Sequence, residues 1–355
     1  MKRITNDVEM VMGCDFHPSF EVIAILDIKT GELSKKRLTH ADGDARRFYE
    51  SRHGKKVVVG MEACGNSWWF EQMLAELGHQ LWIGDAARIR AMEVRKQKTD
   101  DRDALHILDL MVTGRFPDIW VPTPAQRDIR QLILHRHRLV QMRTRVKNQL
   151  QHLALNHGVQ KKYMLWTKAG RQVLEQLPLQ GWTARRRDDL LPVLDDLDSK
   201  IAPLSQAIQQ EAEANPQAQL LCSHPGVGPI TALAYVLTLG DVSRFEHSKN
   251  VASYLGLIPS EDSSSNRRRL GHISKQGNSL LRGLLVEAGQ SAARFDPDLK
   301  RAYQRLKHKK QYSGVAKVMV ARKLAIRLYW ILRNNQPYPP ARMQGSPRNP
   351  VGRCQ

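Results

Sequence analysis

The apolar positions of the first third alternate between strand-like and helix-like spacing. Residues 9–15 form a short apolar run that closes on Asp15, and residues 20–26 form a second. The turn Lys29-Thr30-Gly31-Glu32 leads into residues 32–39, so a three-stranded meander is predicted. Residues 42–52 fit a helix. The β-branched stretch Val57-Val58-Val59-Gly60-Met61-Glu62 reads as a central parallel strand that again ends in a carboxylate. Asn66 or Ser67 caps a helix running through Leu77 to a stop at Gly78, and Leu81-Trp82-Ile83 is a fifth short strand. A basic connector carrying Arg88, Arg90, Arg95, Lys96 and Lys98 then enters a helix opening at Asp100.

Beyond Phe116-Pro117-Asp118-Ile119-Trp120-Val121-Pro122, a stiff linker, the period is helical throughout. Residues 125–156 form one long helix in which Leu132, Leu139, Val146 and Leu153 repeat every seven residues, with Arg136 and Arg143 interrupting the companion row. A second seam runs through Leu190, Leu194, Leu197, Ile201, Leu204 and Ile208, where Pro192 and Pro203 predict kinks. The two helices can pair within the chain or across a dimer. His224-Pro225-Gly226-Val227-Gly228-Pro229 opens a further domain with a turn like that of a helix-hairpin-helix. Its amides can hold a phosphate, or it is a plain turn between packed helices. A short helix over residues 250–257 ends at Gly256-Leu257-Ile258-Pro259. Amphipathic helices are predicted over 299–309 and 315–332.

Four domains follow: residues 1–120 of α/β type, a helical coiled-coil or dimerisation segment over 121–218, a mainly helical domain over 219–336, and a disordered basic tail over 337–355. Charge narrows the function. The 355 residues carry a net +20, and the pI is near 10.0, the footprint of a nucleic-acid binder rather than of a neutral metabolite enzyme. After Asp298 no acid appears while fourteen Lys or Arg follow; such a one-sign tail repels itself unless polyanion lies against it. Cys14, Cys64, Cys222 and Cys354 form no CxxC pair, so neither a zinc knuckle nor a disulfide framework is expected. No signal-peptide core and no membrane-length apolar run is read, which gives a cytoplasmic, nucleoid-associated location and no membrane partner.

Two stretches carry chemistry. In Lys98-Thr99-Asp100-Asp101-Arg102-Asp103-Ala104, Asp100 and Asp103 share one face of a first helical turn and repel unless a cation lies between them. The element order resembles the ribonuclease-H-like fold, whose nuclease members place acids on the first strand, at the end of the fourth and on the last helix. Asp15, Glu62, Asp100 and Asp103 occupy those places, a donor set suited to two Mg2+ (or Mn2+) ions about 4 Å apart. Taken singly, each acid is as readily a cap or a surface residue; four such acids in a basic chain favour catalysis. Sugar kinases and ATPases share the fold, but Phe16-His17-Pro18-Ser19 after Asp15 is not a glycine-rich nucleotide hairpin. The second stretch, residues 260–278, joins a serine run to Arg267, Arg268 and Arg269 and then Lys275. It reads either as a flexible basic loop or as a nucleophilic serine beside phosphate-neutralising arginines.

With both in view, the chain resembles the DEDD transposases of bacterial insertion sequences, the group that includes the pilin-gene invertase. The carrying motifs are Gly13-Cys14-Asp15, Gly60-Met61-Glu62-Ala63-Cys64-Gly65, the Lys98 to Ala104 run and Pro225-Gly226-Val227-Gly228-Pro229-Ile230-Thr231-Ala232. Gly256-Leu257-Ile258-Pro259 with Ser263-Ser264, and Gly271-His272-Ile273-Ser274-Lys275-Gln276-Gly277-Asn278, complete them. The resemblance implies a RuvC-like N-terminal domain, a coiled-coil segment and a transposase domain with a catalytic serine that forms a phosphoserine link to DNA. It implies guidance by a non-coding bridge RNA and assembly into dimers and tetramers in which the acids of one protomer meet the serine of another. It assigns metal binding and catalysis to Asp15, Glu62, Asp100 and Asp103. The serine is Ser264 counted forward from Pro259 and Ser263 counted back from Lys275; Ser264 is preferred. Ser265 stands where the family usually has glycine. Arg267, Arg268, Arg269, Lys275, Gly226 and Gly228 are the expected nucleic-acid contacts, with double-stranded target and donor DNA as substrates. Two alternatives stay open: a RuvC-like junction resolvase using metal-activated water, and a non-catalytic RNA- or DNA-binding protein.

Overall fold

The computed structural model describes residues 3–93, 99–160, 164–262, 269–310 and 313–339. Two compact units result, Met1–Val121 and Pro122–Gln355.

The first unit is a mixed α/β layer structure. Strands β1 (Met10–Phe16), β2 (Phe20–Asp27) and β3 (Leu33–Thr39) form the antiparallel meander. Then come α1 (Asp44–Glu50), β4 (Val57–Glu62), α2 (Trp68–Glu76), β5 (Gln80–Gly84), α3 (Ala86–Ala91) and α4 (Asp100–Val112). The sheet order is β3-β2-β1-β4-β5, with β1 antiparallel to β2 and parallel to β4. Side chains alternate across the pleat. Met12, Cys14, Val59 and Met61 enter the core under α1 and α2. Val11, Val58, Ile107, Leu108 and Met111 fill the other face beneath α4. One element was not foreseen. The basic connector begins as helix α3, because the Asp85 carboxylate accepts the amides of Ala87 and Arg88 and so caps it.

Among the described residues, the second unit is helical apart from one small hairpin. Helix α5 (Pro124–Asn156), α6 (Lys168–Glu175) and α7 (Gly181–Ala214) precede α8 (Pro216–Cys222), α9 (Pro229–Leu239) and α10 (Ser248–Tyr254). A hairpin of β6 (Pro259–Glu261) and β7 (Leu270–Ile273) leads to α11 (Ser279–Phe295), α12 (Pro297–Lys310) and α13 (Ser313–Asn334). The heptad residues Val146, Leu150 and Leu153 of α5 pack on Leu191, Leu194 and Leu197 of α7, so the two seams meet within one chain. Helix α7 runs on through Pro192 and Pro203. Both prolines lie on its exposed side, where water can take the carbonyls that each missing N–H leaves without a partner.

The tail is held further than expected. Tyr338 donates its hydroxyl to Asp296 and its amide to Ser223 Oγ at 2.8 Å, inside the stretch expected to be disordered. Residues 340–355 lie outside the described residues. Among the described residues, no helix is long and apolar enough to cross a membrane.

Candidate metal centre

The site begins with two glycines. Gly13 on β1 pairs in register with Gly60 on β4, and both point toward α4. A Cβ on Gly13 would stand 2.2 Å from the Ala104 carbonyl oxygen and 2.5 Å from the Leu108 amide nitrogen. On Gly60 it would stand 2.2 Å from Met111 Sδ. Only glycine lets α4 lie this close to the sheet. Two residues further along each strand, and hence on the same face, come Asp15 and Glu62.

Asp15, Glu62 and Asp103 line one small cavity of about 30 Å³, joined by Arg90, Glu93 and His106. That is room for one or two water-sized species. Asp100 belongs to a second group. His17 Nε2 lies 3.2 Å from Asp15 Oδ2 and 3.8 Å from Asp100 Oδ1, and these three side chains offer donor atoms within 4.8 Å of one another. Asp15 is therefore common to both sets. It is 8% exposed, while the Asp100 side chain is 42% exposed. Burial pushes the Asp15 carboxyl above its ordinary range; His17 opposes this, and Asp103 and Asp100 add to it.

Cations from the chain partly balance the acids. Arg90 on α3 reaches Glu62 Oε1 at 3.4 Å, and Arg37 on β3 reaches Asp100 Oδ2 at 3.9 Å. Lys35 lies 3.7 Å from Asp101 at the solvated edge. Phe20 organises one wall. His17 stacks on its ring at 4.6 Å, and the Arg37 guanidinium sits 3.6 Å from its centroid. The sequence reading missed His17, Arg37 and Arg90. For His17 a signal existed, since a histidine two residues past a strand-end aspartate falls on the same side. Arg37 and Arg90 arrive only through the tertiary fold.

The donor chemistry fits a divalent cation. Asp15, Glu62 and Asp103 supply carboxylate oxygens alone, and His17 adds an imidazole to the second set.

In the second unit, the β6–β7 ladder pairs Pro259 with Ile273 and Glu261 with Leu270, and the Asp262 amide donates to the Arg269 carbonyl at 3.0 Å. Ser263, Ser264, Arg267 and Arg268 lie outside the described residues. Arg269 is exposed. Lys275 has φ 56°, and its carbonyl carbon abuts Gly256, where an added Cβ would approach it to 2.9 Å. Gly226, at φ 87°, faces α11, with an added Cβ 2.4 Å from the Ala292 amide; Gly228 has open space before it. The first glycine is thus a packing requirement. The second carries no such constraint.

Comparison with known proteins identifies the family of the chain. A DEDD-type IS110 model described as "Transposase" matches residues 12–157, and a model for the "Transposase IS116/IS110/IS902 family" matches residues 218–304. A "Probable family 20 transposase" of Pseudomonas aeruginosa is 29% identical over 67% of this chain and 71% of its own length. A "Transposase for insertion sequence element IS1111A" of Coxiella burnetii is 28% identical over 68% of this chain and 67% of its own. The "Pilin gene-inverting protein" of Moraxella bovis is 33% identical over 38% of this chain and 42% of its own. With both family models matched in chain order over more than half its length, the chain belongs to the IS110-type family of DNA transposases.

Proposed function

We propose that this transposase works through a metal-binding carboxylate centre in a RuvC-like domain and a serine nucleophile in its C-terminal unit, guided by a non-coding RNA. The observation that carries the reading is Asp15, buried and shared between the Glu62/Asp103 set and the His17/Asp100 set. One carboxylate common to two donor groups is the arrangement that two neighbouring cations need.

In this reading Asp15, Glu62, Asp103 and Asp100 hold Mg2+ or Mn2+, which when bound would offset charge building on a phosphodiester. Without metal, His17 hydrogen-bonds Asp15 and Arg90 pairs with Glu62; with metal, His17 would turn to the ion as a donor beside Asp100 and Arg90 would give up Glu62. Ser264 Oγ attacks the phosphorus. A phosphoserine ester forms, the 3′-oxygen of the cut strand leaves, and the serine proton passes to a base. Rejoining reverses these bonds with a new 3′-hydroxyl. Arg269 and Lys275 flank that loop as cationic contacts for the strand, and Gly228 offers an amide.

The test has two steps. Sequencing RNA that co-purifies with the full chain supplies the guide and, by its pairing, the DNA to use. On that DNA, Ser264→Ala is expected to abolish both strand exchange and the protein–DNA adduct on a denaturing gel. Retained cutting by both Ser264→Ala and Ser263→Ala, with loss in Asp15→Asn, would instead establish a junction resolvase. Full activity in Asp15→Asn would refute a catalytic role for the acids.

A further inference from the structure

The face of the first unit opposite the acids carries a second built cleft. Strand β3 is an edge strand, and its alternation divides its cations. Lys35 and Arg37 pair with Ala24 and Val22 on the α4 side, whereas Ser34 and Lys36 pair with Ile25 and Ile23 on the α1 side. On that side a cavity of about 330 Å³ is lined by Ser34, Lys36, Arg47, Phe48, Ser51 and Arg52.

Two of its cations, Lys36 and Arg52, are arranged around one ring. The Arg52 guanidinium lies 3.5 Å from the Phe48 centroid, and Lys36 Nζ lies 5.2 Å from it. Arg52 Nη1 donates to the Phe48 carbonyl and to Ser51 Oγ, both at 2.8 Å, which fixes the plane of the fork. Its Nε is buried with no partner among the described residues. The one carboxylate at the cleft, Asp44, is 4.0 Å from Arg47. No ion pair of Lys36 or Arg52 is found among the described residues. Burial draws the Arg52 pKa down, as expected for a cation short of compensation.

Lysines on an edge strand also deter sheet-to-sheet pairing. Arg47 and Arg52 come from α1 and the turn after it, where there is no edge to guard. A stacked guanidinium, a lysine and the Ser34 hydroxyl suit a phosphate oxygen and read no base, while the Ser51 hydroxyl is committed to the Phe48 carbonyl at 2.8 Å. We propose that this cleft binds the phosphodiester backbone of a nucleic acid, at a site separate from the carboxylate centre and on the other face of the sheet.

The experiment measures binding of fluorescein-labelled duplex DNA and, separately, of a labelled RNA hairpin to the full chain in EDTA over a salt series. Lys36→Glu is expected to weaken binding by about fivefold or more at low salt and to reduce the slope of log K against log salt by about one. Loss in the RNA arm identifies RNA as the ligand, loss in the DNA arm identifies DNA, and loss in both identifies a shared contact. Should Lys36→Glu melt early, Lys36→Gln decides, since it removes charge alone. Unchanged affinity and slope in both arms would overturn the proposal. Mn2+ binding at Asp15 is expected to be unaltered in these variants, so failure here is distinguishable from failure of the metal centre.

Discussion

Gly13 and Gly60 face one another across β1 and β4, and together they form the bed on which α4 rests. What each glycine meets is different. Above Gly13 is α4 backbone, and above Gly60 is the thioether of Met111. Backbone cannot yield locally, whereas a methionine can turn. Gly13→Ala is expected to cost about 3 kcal/mol in denaturant unfolding and to weaken Mn2+ binding by displacing Asp103 from Asp15. Gly60→Ala should cost about 1 kcal/mol and leave metal affinity nearly intact. Equal penalties for the two would contradict this account.

The shared position of Asp15 predicts a graded metal stoichiometry. Counting bound Mn2+ by electron paramagnetic resonance, Asp15→Asn should lose all tight binding. Asp100→Asn and His17→Ala should each lose one class of site, and Glu62→Gln with Asp103→Asn the other. Because burial raises the Asp15 pKa, protons compete with metal there. Affinity should therefore keep rising with pH above the ordinary carboxylate range.

On the other face of the sheet Glu21 is fully buried, accepts the Cys14 thiol at 3.1 Å, and has its pKa pushed up to about 7 by desolvation. A carboxyl with a raised folded pKa stabilises the fold below its unfolded value near 4.5, and that contribution is lost as pH rises through about 7. Thermal melts should show stability declining across this window. Glu21→Gln should flatten the decline and melt higher than the parent at pH 8; an unchanged profile would exclude Glu21 as its source.

In the second unit Asp296 is 1% exposed and is held by Arg327 at 2.6 Å, by the Tyr338 hydroxyl and by the Leu299 amide. Burial opposes its ionisation, but these partners prevail and hold its pKa below the usual carboxylate value. The sign is opposite to that of Glu21. The stability is present above pH 4 and is lost as pH falls through the lowered folded value. Asp296→Asn leaves the Arg327 charge without its main partner and should cost about 3 kcal/mol in urea unfolding. Tyr338→Phe should cost about 1 kcal/mol.

Much of this was legible from residue spacing. Period-two alternation fixes which side of β1 and β4 holds Asp15 and Glu62, and the apolar repeat of α4 sets Asp100 and Asp103 one turn from the sheet. Asp100 and Asp103 share a helix face by their i, i+3 spacing, yet they divide between the two donor sets, Asp103 lining the cavity and Asp100 reaching toward His17. Short α3 was hidden, since six residues give no helical period against a basic background. Arg37 and Arg90 were beyond reach, because their neighbours are chosen by sheet order and helix docking rather than by distance along the chain. The tail anchor at Tyr338 rests on a single aromatic inside a Pro-rich stretch, where composition pointed the other way.

The pairs made by Arg37 and Arg90 have a consequence for loading. Both guanidiniums are tethered counter-ions, at 59% and 67% side-chain exposure. A divalent ion taking up Asp100 or Glu62 would release them toward solvent, where they become a landing strip for a polyanion. Metal and nucleic acid would then recruit each other, although both draw on the same charge.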